Sequence, residues 1–233
     1  MTFPRKKAVV SFTGGKDCCI SLFKALQENK FDVVALATFQ SENLLSYMGS
    51  THPLKLIKKQ AEALELPLEV FSFGDPPFEG YRNSILSLKE KYGAEVLITG
   101  DILEITDGYM DKVAEGTGVS LWKPLMGIDR NVLLEEIFSN NFEVIFSCVS
   151  CKSAGVQDSE KLIGQRLSPE IYDTVVRRNA NQIDLGGEFG EFHTMVLDGP
   201  MFRKRISIKG APIHTTEYNL LSFEIHDVEL LEK

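Results

Sequence analysis

The chain has 233 residues, 25 Lys and Arg against 33 Asp and Glu, a formal net charge of -8 and 43% hydrophobic residues. This composition excludes disordered and fibrous classes, and the length allows one large domain or a main domain with a smaller companion. No apolar run approaches the roughly 18 residues of a membrane span, and the N-terminus does not resemble a signal peptide, so we expect a soluble cytoplasmic protein. Net acidity argues against a broad surface for nucleic acid.

The first half of the chain alternates strand and helix patterns. A buried strand over residues 7–12 leads into Thr13-Gly14-Gly15-Lys16-Asp17-Cys18, and apolar residues then recur at helical spacing over 19–26. Strands are also predicted over 32–38, 66–73 and 96–99, and helices over 53–64 and 79–92. This alternation predicts an α/β fold, with a twisted parallel sheet covered by helices on both faces.

Parallel strands joined by right-handed crossovers end at one edge of their sheet. Phe12, Thr38 and Thr99 are therefore expected along the edge where open α/β sheets bind their ligands. Thr99 is followed at once by Gly100-Asp101. We expect the chemistry of the protein at this edge.

The second half is predicted to be a smaller α+β region. The segment 186–194 holds too much glycine and charge for ordinary core. A soft boundary near residue 126 is expected to divide a domain over 1–126 from a region over 127–233. The predicted elements are helices over 130–139 and 169–178, a strand over 143–148, and antiparallel strands over 205–209 and 220–228.

The glycine turn between the first strand and the first helix suits a phosphate group. Bare backbone can approach an anion closely there, and the helix start offers unpaired N–H groups and a positive dipole. Lys16 adds a point charge, Thr13 a donor, and Asp17 a carboxylate that can position a magnesium ion. The spacing matches neither the Walker A loop nor the Gly-x-Gly-x-x-Gly dinucleotide fingerprint. A tight turn that caps the helix is the alternative interpretation.

The turn resembles the Ser-Gly-Gly-x-Asp-Ser pyrophosphatase (PP) loop of ATP-dependent adenylating enzymes, with Thr13 and Cys18 in place of the two serines. Other segments extend the likeness over nearly the whole chain, which resembles the diphthine–ammonia ligase family. They are Ser41-Glu42-Asn43, Tyr47-Met48, residues 60–64, Pro67-Leu68, Gly100-Asp101, Lys123-Pro124-Leu125, residues 187–194 and residues 196–200.

The resemblance implies a sheet of the adenine nucleotide α-hydrolase (HUP) type, with ATP bound by residues 1–126 and substrate by residues 127–233. It implies a ligase that adenylates a carboxylate with ATP and then transfers ammonia to it, releasing AMP and pyrophosphate. In this family the carboxylate belongs to diphthine, a modified histidine of elongation factor 2, and a related acceptor stays open. Mg²⁺ is expected, because the incoming carboxylate must be screened from the phosphates.

The resemblance also assigns residues to roles. ATP is expected to be held by Ser11, Thr13, Gly14, Gly15, Lys16, Asp17, Cys18, Gly100 and Asp101, of which Asp17 and Asp101 are the candidate metal ligands. The expected acceptor and ammonia pocket comprises Glu79, Gly187, Glu188, Glu191 and Thr194. The catalytic candidates are Lys16, Glu188, Glu191 and His193.

Structural alternatives stand beside these roles. Glu188 and Glu191 could form a solvated loop or a structural ion pair, and His193 could be a hydrogen-bonded structural residue. Asp101 could cap a turn, and Glu79 could pair with a helix dipole. The other histidines are expected at the surface or in turns: His52, His214 and His226.

The sequence departs from the family pattern after Gly100-Asp101. The family usually has a Tyr-Gln-Arg-x-Arg-like stretch there, whereas residues 102–112 of this chain contain no such stretch. Gly186 replaces a usual Cys, and Met126 replaces a usual Trp. These changes alter which acceptor can bind, whereas the nucleotide half matches the pattern.

Two other classes of function stay open. An RNA-modifying enzyme of the thiolating type would need a basic face around Arg177, Arg178 and residues 203–205, and an essential Cys151 in the Cys148-Val-Ser-Cys151 pair. A nucleotide-binding sensor would bind without turnover. The cysteines are expected to be reduced, and free ammonia is the expected nitrogen donor because no glutaminase segment is recognisable. The oligomeric state stays open, a homodimer included.

Overall fold

The apolar strands of the first half form one parallel sheet. We describe it from a computed structural model that covers residues 4–41, 52–74, 76–104, 106–216 and 218–233. The order of the strands is β3-β2-β1-β4-β5, and every neighbouring pair is parallel. The strands are β1 (Lys6–Ser11), β2 (Phe31–Ser41), β3 (Leu68–Phe73), β4 (Val96–Ile98) and β5 (Ser120–Trp122).

The helices grouped with this sheet are α1 (Lys16–Gln27), α3 (Pro77–Tyr92) and α4 (Tyr109–Ala114). The central strands are buried because both faces are apolar, as in Val9, Ala35 and Leu97. Ile85 and Leu88 of α3 pack into the same core. The predicted α/β class with a parallel sheet flanked by helices is confirmed.

The carboxyl ends of the strands are held together by buried polar contacts. The Thr38 hydroxyl donates to the carbonyl of Phe12 at 2.6 Å, and Ser21 of α1 donates to the carbonyl of Thr99 at 3.1 Å. Gly100 lies directly against the start of α1, since a Cβ there would be 2.9 Å from the backbone of Asp17. Phe12, Thr38 and Thr99 therefore lie at one edge of the sheet, as the topology predicted, although β2 continues beyond Thr38 to Ser41.

A second, antiparallel sheet contains the strands of the second half in the order β7-β6-β9-β8. The alternating residues predicted as antiparallel strands form its β8·β9 pair. The strands are β6 (Glu143–Ser150), β7 (Phe192–Asp198), β8 (Arg205–Thr215) and β9 (Leu220–Leu231). The helices around it are α2 (Leu54–Leu64), α5 (Arg130–Ser139), α6 (Cys151–Ala154), α7 (Val156–Leu162) and α8 (Pro169–Ile171).

The chain divides into two compact units, and the division does not follow chain order. The first contains Met1–Thr13, Asp17–Thr51 and Glu65–Gly127. The second contains Gly14–Lys16, His52–Leu64 and Ile128–Lys233. The middle of the glycine turn at residues 13–18, called the glycine loop from here on, and α2 thus group with the second half of the chain. The functional division at residue 126 stays a prediction.

Several elements differ from the sequence prediction. The predicted helix over 169–178 is α-helical only over Pro169–Ile171 and continues as a π-helical turn and a 3-10 turn to Asn179. β5 and β7 were not predicted, because three residues are too few to show a period and because glycine and charge surround the start of β7. No helix among the described residues is long and apolar enough to cross a membrane.

Gly100→Ala is expected to lower the free energy of unfolding by about 1–3 kcal/mol, because the added Cβ would press on the backbone of Asp17 and Cys18. Urea unfolding measures the difference. Gly74→Ala is the matched control, since a Cβ there meets nothing within 4 Å. Equal stability of the two variants would contradict the close packing of Gly100 on α1.

Candidate active site

The glycine loop is fixed through the carbonyl of Gly14. That oxygen accepts hydrogen bonds from the Val196 backbone N–H at 3.0 Å and from Gln60 Nε2 at 2.9 Å. Gly14 has a φ of 83°, and a Cβ at this position would overlap Gln60 Oε1. Only glycine fits both the backbone conformation and the space.

The loop leads directly into α1, whose positive end is therefore next to the glycines. The Lys16 backbone N–H donates to Thr194 Oγ1 at 3.3 Å. Thr13 Oγ1 donates to Cys18 Sγ at 3.7 Å, which is a weak hydrogen bond between the two residues that replace the serines of the PP loop. Bare glycine backbone beside a helix start and a lysine fits a phosphate group.

The Lys16 side chain is buried, with 6% of its surface exposed. Its Nζ donates to the carbonyl of Gly186 at 2.6 Å and lies 5.8 Å from the centroid of the Phe192 ring. The structure thus brings the predicted phosphate-binding lysine onto the glycine-rich segment that begins at residue 186.

Two carboxylates shape that segment. Asp184 Oδ1 accepts from the backbone N–H groups of Gly186 at 2.8 Å and Glu188 at 3.3 Å. Glu191, only 7% exposed, accepts from the Asp184 N–H through Oε1 and from the Phe189 N–H through Oε2, both at 2.9 Å. Both oxygens of Glu191 hold backbone N–H groups, a structural role that differs from the solvated loop or ion pair expected as the alternative to catalysis. Glu188 is half-buried at the same turn.

Sequence reasoning missed Asp184 and its partner Arg130. The Arg130 Nε lies 3.4 Å from Asp184 Oδ1, and both side chains are largely buried. Arg130 begins α5, and a buried charge of this kind needs a partner. The signal in the sequence was weak, because 54 residues separate the two.

His193 lies beside an irregularity in the second sheet. The register of β6 and β7 shifts at Ser147, whose two neighbours pair with Thr194 and His193. His52 Nε2 lies 2.8 Å from Ser147 Oγ, and both residues are buried. Such a bulge re-aims a side chain. The prediction that His52 is a surface or turn residue is wrong, because Ser147 satisfies the buried ring, whereas His214 and His226 are exposed as predicted.

The histidine ring of β7 is held in its neutral form. Burial, together with the nearby His52 and Lys16, lowers the pKa of His193 to about 4. At neutral pH the ring is therefore uncharged and can offer both a donor and an acceptor nitrogen.

The remaining predicted residues lie in the first unit. Asp101 Oδ2 accepts from Thr99 Oγ1 at 2.7 Å and is half-buried. Ser11 ends β1 and is half-buried, and Glu79 is exposed in the first turn of α3, where the helix dipole favours an acid. No group of three or more metal-ligating side chains occurs among the described residues. The two candidate ligands, Asp17 and Asp101, fit Mg²⁺, which takes one or two carboxylates and completes its shell with phosphates and water.

The features that an RNA-modifying enzyme would need are weak. Arg177, Arg178 and Arg205 each pair with an acid, at 3.2, 2.8 and 2.8 Å. Burial raises the pKa of the Cys148 thiol, which opposes a reactive thiolate. All four cysteines are free.

Of the segments that carry the resemblance, Glu42, Asn43, Tyr47 and Met48 lie outside the described residues.

A parallel sheet whose strand β1 runs through a glycine loop into a helix is an architecture of nucleotide-binding α/β proteins. Two family models match this chain, the diphthamide synthase N-terminal domain over residues 6–121 and the diphthamide synthase C-terminal domain over residues 129–226. The chain belongs to the diphthamide synthase family, and it is an ATP-dependent ligase.

Similar curated proteins extend along most of the chain. The diphthine–ammonia ligase of Rattus norvegicus is 28% identical over 239 residues, covering 91% of this chain and 86% of that protein. The Homo sapiens protein of the same name is 26% identical, covering 90% and 84%. That of Schizosaccharomyces pombe is 27% identical, covering 86% of this chain and 36% of that protein. A solved structure, a predicted subunit of tRNA methyltransferase from Methanocaldococcus jannaschii, has 15% identity and a TM-score of 0.42, covering 84% and 98%.

We expect stability to fall as the pH drops from about 6.5 towards 4, because the unfolded histidine takes up a proton in this window and folded His193 does not. Between pH values of about 7.5 and 5, we expect the free energy of unfolding of the unaltered protein to fall by about 2 kcal/mol more than that of His193→Gln. Urea unfolding at both pH values measures it. His214→Gln, at an exposed histidine, is expected to keep the full pH dependence. An unchanged pH dependence in His193→Gln would contradict the neutral state of this half-buried ring.

Glu191→Gln is expected to lower the free energy of unfolding by about 1–3 kcal/mol. An amide offers one oxygen, so one of the two N–H groups that Glu191 holds is left without its acceptor. Chemical unfolding checks this, with Glu135→Gln on the exposed face of α5 as the control. A variant as stable as the control would show that Glu191 is dispensable for the loop.

Proposed function

We propose that the protein is an AMP-forming amide ligase that adenylates the carboxylate of diphthine on elongation factor 2, or a related carboxylate, and transfers ammonia to it. One observation carries the proposal. Lys16 of the glycine loop donates to Gly186, which opens the glycine-rich segment, and both belong to one compact unit. The name of the curated relatives, diphthine–ammonia ligase, supports the acceptor and the nitrogen donor.

The loop supplies the binding of the triphosphate. Backbone N–H groups around Gly14 and Gly15 would receive the phosphate oxygens, with Thr13 and Ser11 as hydroxyl donors. Lys16 would meet the charge that grows on departing pyrophosphate. Gly100 contributes because its missing Cβ lets the end of β4 lie close to the backbone of Asp17 and Cys18 at the start of α1.

Asp17 and Asp101 are the residues that would hold Mg²⁺. Gly100 lies against the backbone of Asp17, so the structure brings the chain positions of both acids together. When bound, the ion screens the negative phosphates from an incoming carboxylate.

The reaction proceeds in two displacements. An oxygen of the acceptor carboxylate forms a bond to the α-phosphorus, and the bond from that phosphorus to the bridging oxygen breaks, so pyrophosphate leaves with the electron pair. The nitrogen of ammonia then bonds to the acyl carbon, the bond from that carbon to the AMP oxygen breaks, and the nitrogen loses one proton. Glu188 is our candidate for taking this proton, because it is a half-buried carboxylate.

The other acceptor-side residues position rather than react. Glu191 fixes the segment through two backbone N–H groups, and Thr194 anchors the loop through the Lys16 N–H. Gly187 has a φ of 77°, and a Cβ there would lie 2.7 Å from the carbonyl of Phe192, so the turn needs glycine. Neutral His193 can donate to an oxyanion of the second displacement, and Glu79 is placed on the acceptor side by the family resemblance alone.

A pyrophosphate-release assay with ATP, ammonium and elongation factor 2 that carries diphthine tests the proposal. AMP and pyrophosphate are expected in equal amounts with the amide. Formation of ADP and phosphate would contradict it. Release that depends on RNA would point to an RNA-modifying enzyme, and binding of ATP without turnover for every acceptor would point to a sensor.

Lys16→Ala and Asp17→Ala are each expected to slow pyrophosphate release by about 100-fold or more, since the first removes the positive charge that meets the departing pyrophosphate and the second removes a proposed ligand of Mg²⁺. The same assay measures the rates, and circular dichroism checks the fold. Lys58→Ala changes an exposed lysine of α2 and is expected to have the rate of the unaltered protein. Full activity in both loop variants would remove the loop from the mechanism.

A further inference from the structure

The ε-ammonium group of Lys16 occupies a small cation site in the second unit. Its Nζ donates to the carbonyl of Gly186 at 2.6 Å and lies 5.8 Å from the centroid of the Phe192 ring. A carbonyl oxygen and the negative face of an aromatic ring are both attractive to a primary ammonium group. The side chain is 6% exposed, so this contact is made away from bulk water.

The walls of the site are rigid. The N–H of Gly186 is held by Asp184 Oδ1 at 2.8 Å, which fixes the peptide plane next to the carbonyl. Phe192 is 3% exposed and packs edge-on against Phe146, with ring centroids 5.2 Å apart. The site therefore keeps its shape when the group inside it changes.

The backbone of Lys16 is also held, through its N–H to Thr194 Oγ1 at 3.3 Å. Only the four-carbon stem of the lysine needs to move for Nζ to leave Gly186. A lysine stem rotates readily, and its ammonium group can serve two places in turn.

The proposed reaction makes two demands on this one group. Nζ is needed at the phosphates once ATP is in the loop, and it then no longer satisfies the buried carbonyl of Gly186. A buried carbonyl without a donor is unfavourable. The ammonium ion, which is the form of the second substrate in solution at neutral pH, has the same charge and the same kind of N–H donor as the group that left. It gives one proton to solvent before its nitrogen bonds to the acyl carbon, and a second as the amide forms.

We propose that the carbonyl of Gly186 and the face of Phe192 form the ammonium site of the enzyme, that Lys16 fills this site in the free protein, and that nucleotide binding opens it by drawing Nζ to the phosphates. The inference rests on the proposed function, because it needs a triphosphate at residues 13–18. It adds an order of binding, in which ATP precedes ammonia.

The surrounding charges agree with this assignment. Burial, with His52 and Lys16, lowers the pKa of His193 to about 4, so no imidazolium competes with a second cation at neutral pH. The buried carboxylate of Glu191 belongs to the same segment and contributes negative charge.

Crystals soaked in thallium(I), a monovalent cation close to ammonium in size, test the site directly through its anomalous signal. In crystals with a non-hydrolysable ATP analogue, we expect a thallium peak in contact with Gly186 O and the Phe192 ring. In nucleotide-free crystals we expect Nζ at that position and no peak there. A peak in neither crystal, or in both, overturns the proposal.

The variant Lys16→Met supplies a second, independent test of the ammonium site. This variant lacks the ammonium group but keeps a stem of similar length, so thallium is expected at Gly186 without any nucleotide. Lys58→Met, at an exposed lysine of α2, is the control and is expected to show no thallium there unless nucleotide is present. A Lys16→Met crystal without thallium at Gly186 overturns the proposal even if the variant no longer binds nucleotide.

Phe192→Leu gives a kinetic readout in the unaltered loop. The variant is expected to raise the KM for ammonium about tenfold through loss of the ring face, with the KM for ATP unchanged within about twofold. Equal rises in both KM values would show a general loss of structure and contradict a role in ammonium binding. Nucleotide density at the loop without thallium at Gly186 would contradict this inference and leave the proposed function standing. Failure of any nucleotide to bind would contradict the proposed function itself.

Discussion

The carbonyl of Gly14 is the point on which the rest of the site depends. It accepts from the Val196 N–H and from Gln60 Nε2, and the same Gln60 nitrogen donates to the carbonyl of Val196 at 2.8 Å. These contacts are fully buried, so none of them can be exchanged for water without cost. They tie the glycine loop to β7 and to α2.

The same unit contains two buried charged side chains. Lys16 and Glu191 are 6% and 7% exposed, and each is balanced by backbone dipoles, the carbonyl of Gly186 for the lysine and two N–H groups for the carboxylate. Buried charges persist only when they are hydrogen-bonded. Because Asp184 both donates to Glu191 and accepts from Gly186, the segment responds as a unit to a change at any of its members.

Much of the fold was predictable from local pattern. The strand, loop and helix at residues 6–27, the helix Arg130–Ser139 and the antiparallel pair β8·β9 all follow apolar periodicity, which burial on one or two faces enforces. β5 and the irregular end of α8 were not predictable in this way, because three-residue strands and π-helical turns are too short or too irregular to show apolar periodicity. His52 was misjudged, since a single histidine at the start of a helix gives no local sign that Ser147 satisfies it.

The sequence by itself determined the parallel sheet, the glycine loop and the family, because each depends on residue types within a few positions of one another. Only the tertiary structure decided which groups the loop contacts. Gln60, His52 and Lys16 find partners 46, 95 and 170 residues away. These pairings arise from the need to satisfy buried polar groups once the chain is compact, and that need is set by packing rather than by any local pattern.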